Sequence, residues 1–195
     1  MQITVDIERH PLQPFLPPNA RLLMLGSFPP PRKRWSMDFF YPNRSNMMWE
    51  IMGLVFLGDS QRLVDAAHKT FRLTDIQSLM HEKGIAIYDT ATAVRRLSGN
   101  ASDKDLEIVE KTDIPALLAQ IPECHDIVCT GQKSFSVLTE DYGVPIPQMG
   151  VYNEFTLADR PMRLWRMPSS SRAYPMPLTE KAKYYHKMMQ EIGLL

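Results

Sequence analysis

The chain is short of several things that would have settled its class at once. It has two cysteines in 195 residues, Cys124 and Cys129, with no histidine at ligand-like spacing. That excludes a four-cysteine zinc or iron–sulfur site and leaves two ordinary buried thiols as the expectation. No apolar run approaches the ~18 residues needed to cross a bilayer. The opening "MQITVDIERH" has neither the basic start nor the apolar centre of a secretion signal, so a cytoplasmic location with no membrane contact is expected. There is no net charge, since 22 basic residues balance 22 acidic ones. This argues against a polycation that coats nucleic acid indiscriminately, but not against a local basic patch. No internal repeat and no low-complexity linker is present. Missing too are the glycine-rich phosphate loop, the dinucleotide fingerprint and the GxSxG elbow of serine hydrolases.

What remains is the composition of an ordinary globular protein, 44% hydrophobic and 23% charged, at a length that suits one domain over 1–195. Residues 10–20, "HPLQPFLPPNA", form a proline-rich lead-in expected to be extended. Apolar runs bounded by glycine, proline or aspartate predict strands over 21–27, 85–91, 126–132 and 160–171. Amphipathic or buried helices are predicted over 45–56 with Ser45 or Asn43 as cap, 61–71, 74–84 ending at Gly84, 113–122, and 179–193 capped by Thr179. The stretch 141–155 gives no clear periodicity and reads as a connection before the last strand. This alternation predicts an α/β fold, a three-layer α/β/α sandwich around a central, mainly parallel four-stranded sheet. Ligands of such sheets bind beyond the carboxyl ends of the strands. The ends in question are "GSFPP", "DTA", "TGQ" and "PSSS".

At the first, "LGSFPPPRKRW" stops a buried strand on Gly26 and Ser27 and stiffens through prolines. Such a turn exposes main-chain N–H groups to a phosphate or a base, or it is simply a tight strand exit. Arg32, Lys33 and Arg34 then lie near phosphates or form a solvated basic turn. In "DFFYPNRSNMMW", Phe40 and Tyr41 precede a turn carrying Asn43, Arg44 and Asn46. Aromatic faces sandwich a planar base and amides bond its edge or hold a water, although an aromatic core pair with a helix cap fits equally well. "MPSSSRAYP" reads as the opposite wall, where Ser169, Ser170, Ser171 and Arg172 offer hydroxyls, amides and a cation for backbone phosphates. A plain serine-rich turn is the alternative.

Taken together, these motifs resemble the uracil-DNA glycosylase superfamily, and within it the hypoxanthine or deoxyinosine DNA glycosylases and their mismatch-specific relatives. That branch has G-S/T-M-P-G, then Y-Y-x-x-P-x-N-x-F-W, then L-P-S-T-S-P; here stand "GSFPP", "FYPNRSNMMW" and "MPSSSRAYP" in the same order, with "GIAIYDT" and "IVCTGQKSF" between. The likeness runs from Leu22 to Pro175. It implies a monofunctional glycosylase that hydrolyses the N-glycosidic bond of uracil, hypoxanthine or xanthine flipped out of DNA. It also implies a monomer that needs neither metal nor organic cofactor. Gly26, Ser27, Phe28, Pro29 and Pro30 would form the loop against the flipped nucleotide, Tyr41 part of the stacking wall, and Asn46 the catalytic asparagine that positions water. Ser169, Ser170 and Ser171 would pinch the DNA backbone. Asp38, the carboxylate nearest these motifs in sequence, is a second candidate base, with a capping or ion-pair role as its alternative.

The chain departs from the branch at Pro30, where a glycine is usual, at Met48 before Trp49, at Arg172 in place of proline, and in a displaced Pro42. Pro30 stiffens the loop and removes one donor. A second reading follows: the fold is retained and DNA bound, but the chemistry is lost. A serine hydrolase built from Ser27 or a serine of 169–171 with Asp89 and His186 lacks its elbow motif.

Overall fold

The computed structural model describes residues 6–97 and 105–195. In chain order the elements are strands β1 (Ile7–Arg9) and β2 (Leu22–Gly26), helix α1 (Met48–Leu57), strands β3 (Val64–Asp65) and β4 (Thr70–Phe71), helix α2 (Leu73–Lys83), and strands β5 (Ile85–Asp89), β6 (Ala91–Arg96) and β7 (Leu106–Lys111). Then come helix α3 (Ile114–Gln120), strand β8 (Asp126–Cys129), helix α4 (Gln132–Tyr142), strands β9 (Tyr152–Leu157) and β10 (Arg160–Arg166), and helix α5 (Leu178–Ile192).

The core is a five-stranded sheet of order β5-β2-β8-β10-β9, flanked by helices. Its first four strands are parallel, with Leu22 opposite Ile85 on one side and Asp126 on the other. Leu22, Leu23, Met24 and Leu25 are all fully buried. A parallel sheet covered on both faces demands such a continuous apolar run. The α/β class is therefore as expected, with one strand more than predicted. The extra strand, β9, lies antiparallel at the edge and forms a hairpin with β10. Its turn uses Ala158 and Asp159, both left-handed at φ of 51° and 58°. Hairpin turns of this hand usually carry Asn-Gly, so the β9–β10 turn leaves no such mark in the sequence.

Local expectations fail in instructive places. Residues 61–71 are not a helix: β3 and β4 pair there, Val64 opposite Phe71. Asp59 Oδ1 accepts from Gln61 N at 2.8 Å, Asp65 accepts from His68 N at 3.2 Å, and Lys69 is left-handed at φ 53°. Aspartates that bond nearby amides offer the backbone an alternative to the helix. α1 begins at Met48, and neither Ser45 nor Asn43 caps it; Asn46 Oδ1 accepts from Met48 N at 2.9 Å. α5 likewise starts after Pro177 without a side-chain cap from Thr179. The predicted strand over 160–171 ends at Arg166, and 85–91 divides at Thr90, after which β6 joins β1 and β7 in a separate antiparallel sheet. α4 follows a stretch that was read only as a strand end.

The two cysteines are free and buried, as expected. Burial pushes both thiols up to about 12. No helix among the described residues is long and apolar enough to cross a membrane.

Candidate functional site

β2 and β8 are neighbours, yet the chain leaves β2 for β5 on one side and β8 for β10 on the other. That reversal opens a crevice at the carboxyl ends of the strands. A cleft of about 500 Å³ lies there, within the ~300–1,000 Å³ common for ligand sites. All four strand ends singled out from sequence contribute: Gly26 to Pro30, Asp89, Thr130 with Gly131, and Ser169 to Ser171. Arg34, Phe40, Tyr41, Asn43, Asn46 and Arg172 also line it.

The loop after β2 is fixed from several directions. Thr90 N donates to Gly26 O at 2.9 Å, Arg96 Nη2 to Pro29 O at 3.1 Å, and Trp35 Nε1 to Pro30 O at 2.7 Å. Arg96 is in turn paired with Glu8 at 3.0 Å. Phe28 packs edge-on against the His10 ring, centroids 5.3 Å apart. Three carbonyls and one ring are thus held before any ligand arrives.

Asp89, at the end of β5, is 7% exposed and sits on the cleft floor. Its Oδ2 lies 2.8 Å from Nε2 of His10, whose side chain is almost fully buried. A proton on Nε2 lets His10 donate to Asp89, while Nδ1 stands 3.0 Å from Leu12 O and 3.1 Å from Leu12 N. The second oxygen, Oδ1, lies against Gly26: a Cβ built there would meet it at 2.3 Å. Only glycine leaves this carboxylate its place. Sequence reasoning placed Asp89 among the strand ends and in the hydrolase alternative but gave it no role of its own in the glycosylase reading; the available signal was an acid closing an otherwise apolar strand. His10 gave none, because it reaches the floor through the pairing of β1 with β6.

The asparagine turn and the serine loop, read as opposite walls, form one wall. Asn46 and Ser171 make an antiparallel bridge, Met47 N donates to Ser170 O at 2.8 Å and Arg172 N to Ser45 O at 3.1 Å. Asn46 Oδ1 thus takes up the Met48 amide at the start of α1, and the residue lines the cleft. Asn43 closes an Asx turn onto Ser45 N at 3.0 Å. Tyr41 is left-handed at φ 50°, edge-on to Trp49 and within 3.3 Å of Thr130 Oγ1. A bulky residue held in that conformation stores strain, which is common at ligand sites. Phe40 is 4% exposed and packs on Phe39 and Tyr88, so it supports the wall more than it covers a ligand.

In the serine loop, Ser169 Oγ accepts from Ser171 N at 3.2 Å and Ser171 Oγ from Ala173 N at 3.3 Å. The Ser171 and Ala173 amides are thus engaged within the loop, but each hydroxyl retains its own proton to donate. Arg172 is paired with Glu50 at 2.8 Å.

Other candidates fall outside the cleft lining. Asp38 is exposed and paired with Arg32 at 2.6 Å, which is the ion-pair alternative considered for it. Arg32 stacks over Trp35, 4.3 Å from the ring centroid, and Lys33 is exposed on the same short turn. Arg44 turns away to Thr70 O, at 2.7 Å. His186 lies on α5 beside a depression between α1 and α5 and is not among the residues that line the cleft with Ser27 and Asp89. Among the described residues no cluster of three or more histidine, cysteine or acidic groups is placed to hold a metal.

No protein-family model matches this sequence, and no curated protein matches it. By structure the chain is similar to the solution structure of "a putative Uracil DNA glycosylase from Methanosarcina acetivorans", with a TM-score of 0.63 and 19% identity over 96% of this chain and 99% of that one. At that identity the likeness concerns the fold, and the two chains share it almost from end to end.

Proposed function

We propose that this chain is a DNA glycosylase that hydrolyses the N-glycosidic bond of a deaminated base extruded into the cleft. The observation that carries the reading is that one cleft has the Asp89 carboxylate on its floor and the Asn46 carboxamide, with a hydroxyl-rich loop, on its wall. A carboxylate accepts hydrogen bonds and donates none. Asp89, fixed by His10, therefore favours a base edge that presents a ring N–H. Deamination creates that edge: uracil and hypoxanthine carry a ring N–H where cytosine and adenine carry a lone pair. Asn46, with its oxygen on Met48 N, has its NH2 to hold a water or a leaving base. The glycosidic bond breaks through a sugar with oxocarbenium character, and the flanking phosphates help to stabilise that charge. Extrusion costs a few kcal/mol, least for bases in weak pairs.

A binding-only reading has one observation in its favour: Pro30 brings no amide to the loop, and its carbonyl is already bound by Trp35. Labelled oligonucleotides with a single uracil, hypoxanthine or xanthine, in single strands and opposite each base, decide between the two. Alkali-labile abasic sites made by the wild type support the glycosylase. Binding without abasic sites on any substrate would leave the binding module.

A further inference from the structure

Lys181 is fully buried, yet no carboxylate among the described residues pairs with it. Its Nζ donates to Ser171 O at 2.6 Å and lies 5.5 Å from the Tyr174 ring. The nearby acids are engaged elsewhere, Glu180 with Lys183 at 2.7 Å and Glu50 with Arg172 at 2.8 Å. The position is unfavourable to a cation in three ways. It is desolvated, it lies in the first turn of α5 where the helix dipole is positive, and Arg172 repels it.

The backbone does not need this charge. Ser171 O also accepts from Tyr174 N at 3.1 Å, so without the lysine it keeps a partner. One turn further along α5, Tyr185 donates to Pro168 O at 3.0 Å. Lys181 and Tyr185 thus hold the two ends of the serine loop by their carbonyls, and Ser169 to Ser171 line the cleft between them. A buried cation thus stands behind a serine loop that lines the cleft, where its field favours an anion.

We infer that Lys181 is a positioning residue that makes the Ser169–Ser171 loop a phosphate cradle, its counter-ion being a phosphodiester of the bound strand. The ligand class rests on the nucleic-acid reading of the cleft. The lysine acts through the loop and through its field, since its ammonium is enclosed.

The test compares wild type, Lys181→Met and Lys181→Arg by thermal unfolding in inorganic phosphate and in chloride of equal ionic strength. It adds the salt dependence of binding to a single-stranded oligonucleotide without a lesion. Replacing an unpaired buried charge by an apolar side chain of similar length leaves the ligand-free protein at least as stable. The expected result is that phosphate raises the melting temperature of the wild type and of the arginine variant but not of the methionine variant. For Lys181→Met, oligonucleotide affinity falls about 10-fold, and the slope of log affinity against log salt shrinks by about one. A methionine variant less stable than wild type without phosphate would make the lysine merely structural and overturn the inference. So would equal phosphate responses in wild type and Lys181→Met. If the wild type cuts no lesion but shows the lysine-dependent phosphate response, the glycosylase reading fails and the cradle stands. If it cuts while Lys181→Met keeps the full salt slope, the cradle alone fails.

Discussion

Nε2 of His10 and Oδ2 of Asp89 meet at 2.8 Å beneath the cleft, joining the N-terminal strand to the end of β5. The ring is packed among Phe28, Phe40 and Tyr88, so a phenylalanine would fill its place. His10→Phe removes the donor and leaves a buried acid unpartnered, a loss of about 1–3 kcal/mol or more in chemical denaturation. Asp89→Asn keeps the shape but offers an NH2 to the cleft. Cleavage of uracil or hypoxanthine should fall by about 10²-fold, because a mispaired buried polar edge costs about 1.5–3 kcal/mol. Unchanged base preference in Asp89→Asn would show that this carboxylate does not read the base. Gly26→Ala should resemble it, since its Cβ would displace Oδ1.

Asn46 has two separable jobs. Its Oδ1 satisfies Met48 N, and the residue lines the cleft, where its NH2 is the group proposed to hold water or the leaving base. Asn46→Ala loses both and should cost about 1 kcal/mol of stability together with about 10²-fold or more in cleavage. Asn46→Asp retains the cap acceptor, so its unfolding should match wild type while cleavage still falls. Parallel urea titrations and single-turnover cleavage separate the two effects.

Lys69 discriminates between a hairpin and a helix over 61–71. At φ 53° a glycine relieves strain, so Lys69→Gly should stabilise the protein by about 0.5–1 kcal/mol. In a helix interior the same change would destabilise by about 1 kcal/mol. The sign of the shift in the urea midpoint is the answer.

Cys124 and Cys129 should resist thiol reagents in the native protein and react only after unfolding, because burial raises both from 9.0 to about 12. A thiol with a raised native pKa keeps its proton where the unfolded chain has lost it. Its contribution is present below about 9 and disappears as the pH climbs towards 12. Urea unfolding at stepwise higher pH should show stability declining from about pH 9. Cys129→Ala should make that decline shallower.

The parallel strands and the ends that form the cleft were legible because a strand buried on both faces must be apolar throughout, and the first polar or glycine residue marks its exit. "RLLMLGS" and "IAIYDTA" show this directly. Segments whose structure depends on single side chains were not legible: the Asp59 and Asp65 turns that convert 61–71 into a hairpin, and the Ala158–Asp159 turn without glycine. Within the site, the family resemblance singled out Asn46 and the serines but could not tell that a backbone bridge makes them neighbours. Asp38 was attractive only by proximity along the chain, whereas the acid on the floor is brought there by sheet order.

The floor and its supports draw on His10, Gly26, Asn46, Asp89, Thr130, Ser171 and Lys181, nearly the whole length of the polypeptide. They lie far apart along the chain, and sheet order and the Asn46–Ser171 bridge bring them together. Ligand affinity is therefore a signature of completed folding. Ligand protection from proteolysis should appear all at once rather than element by element.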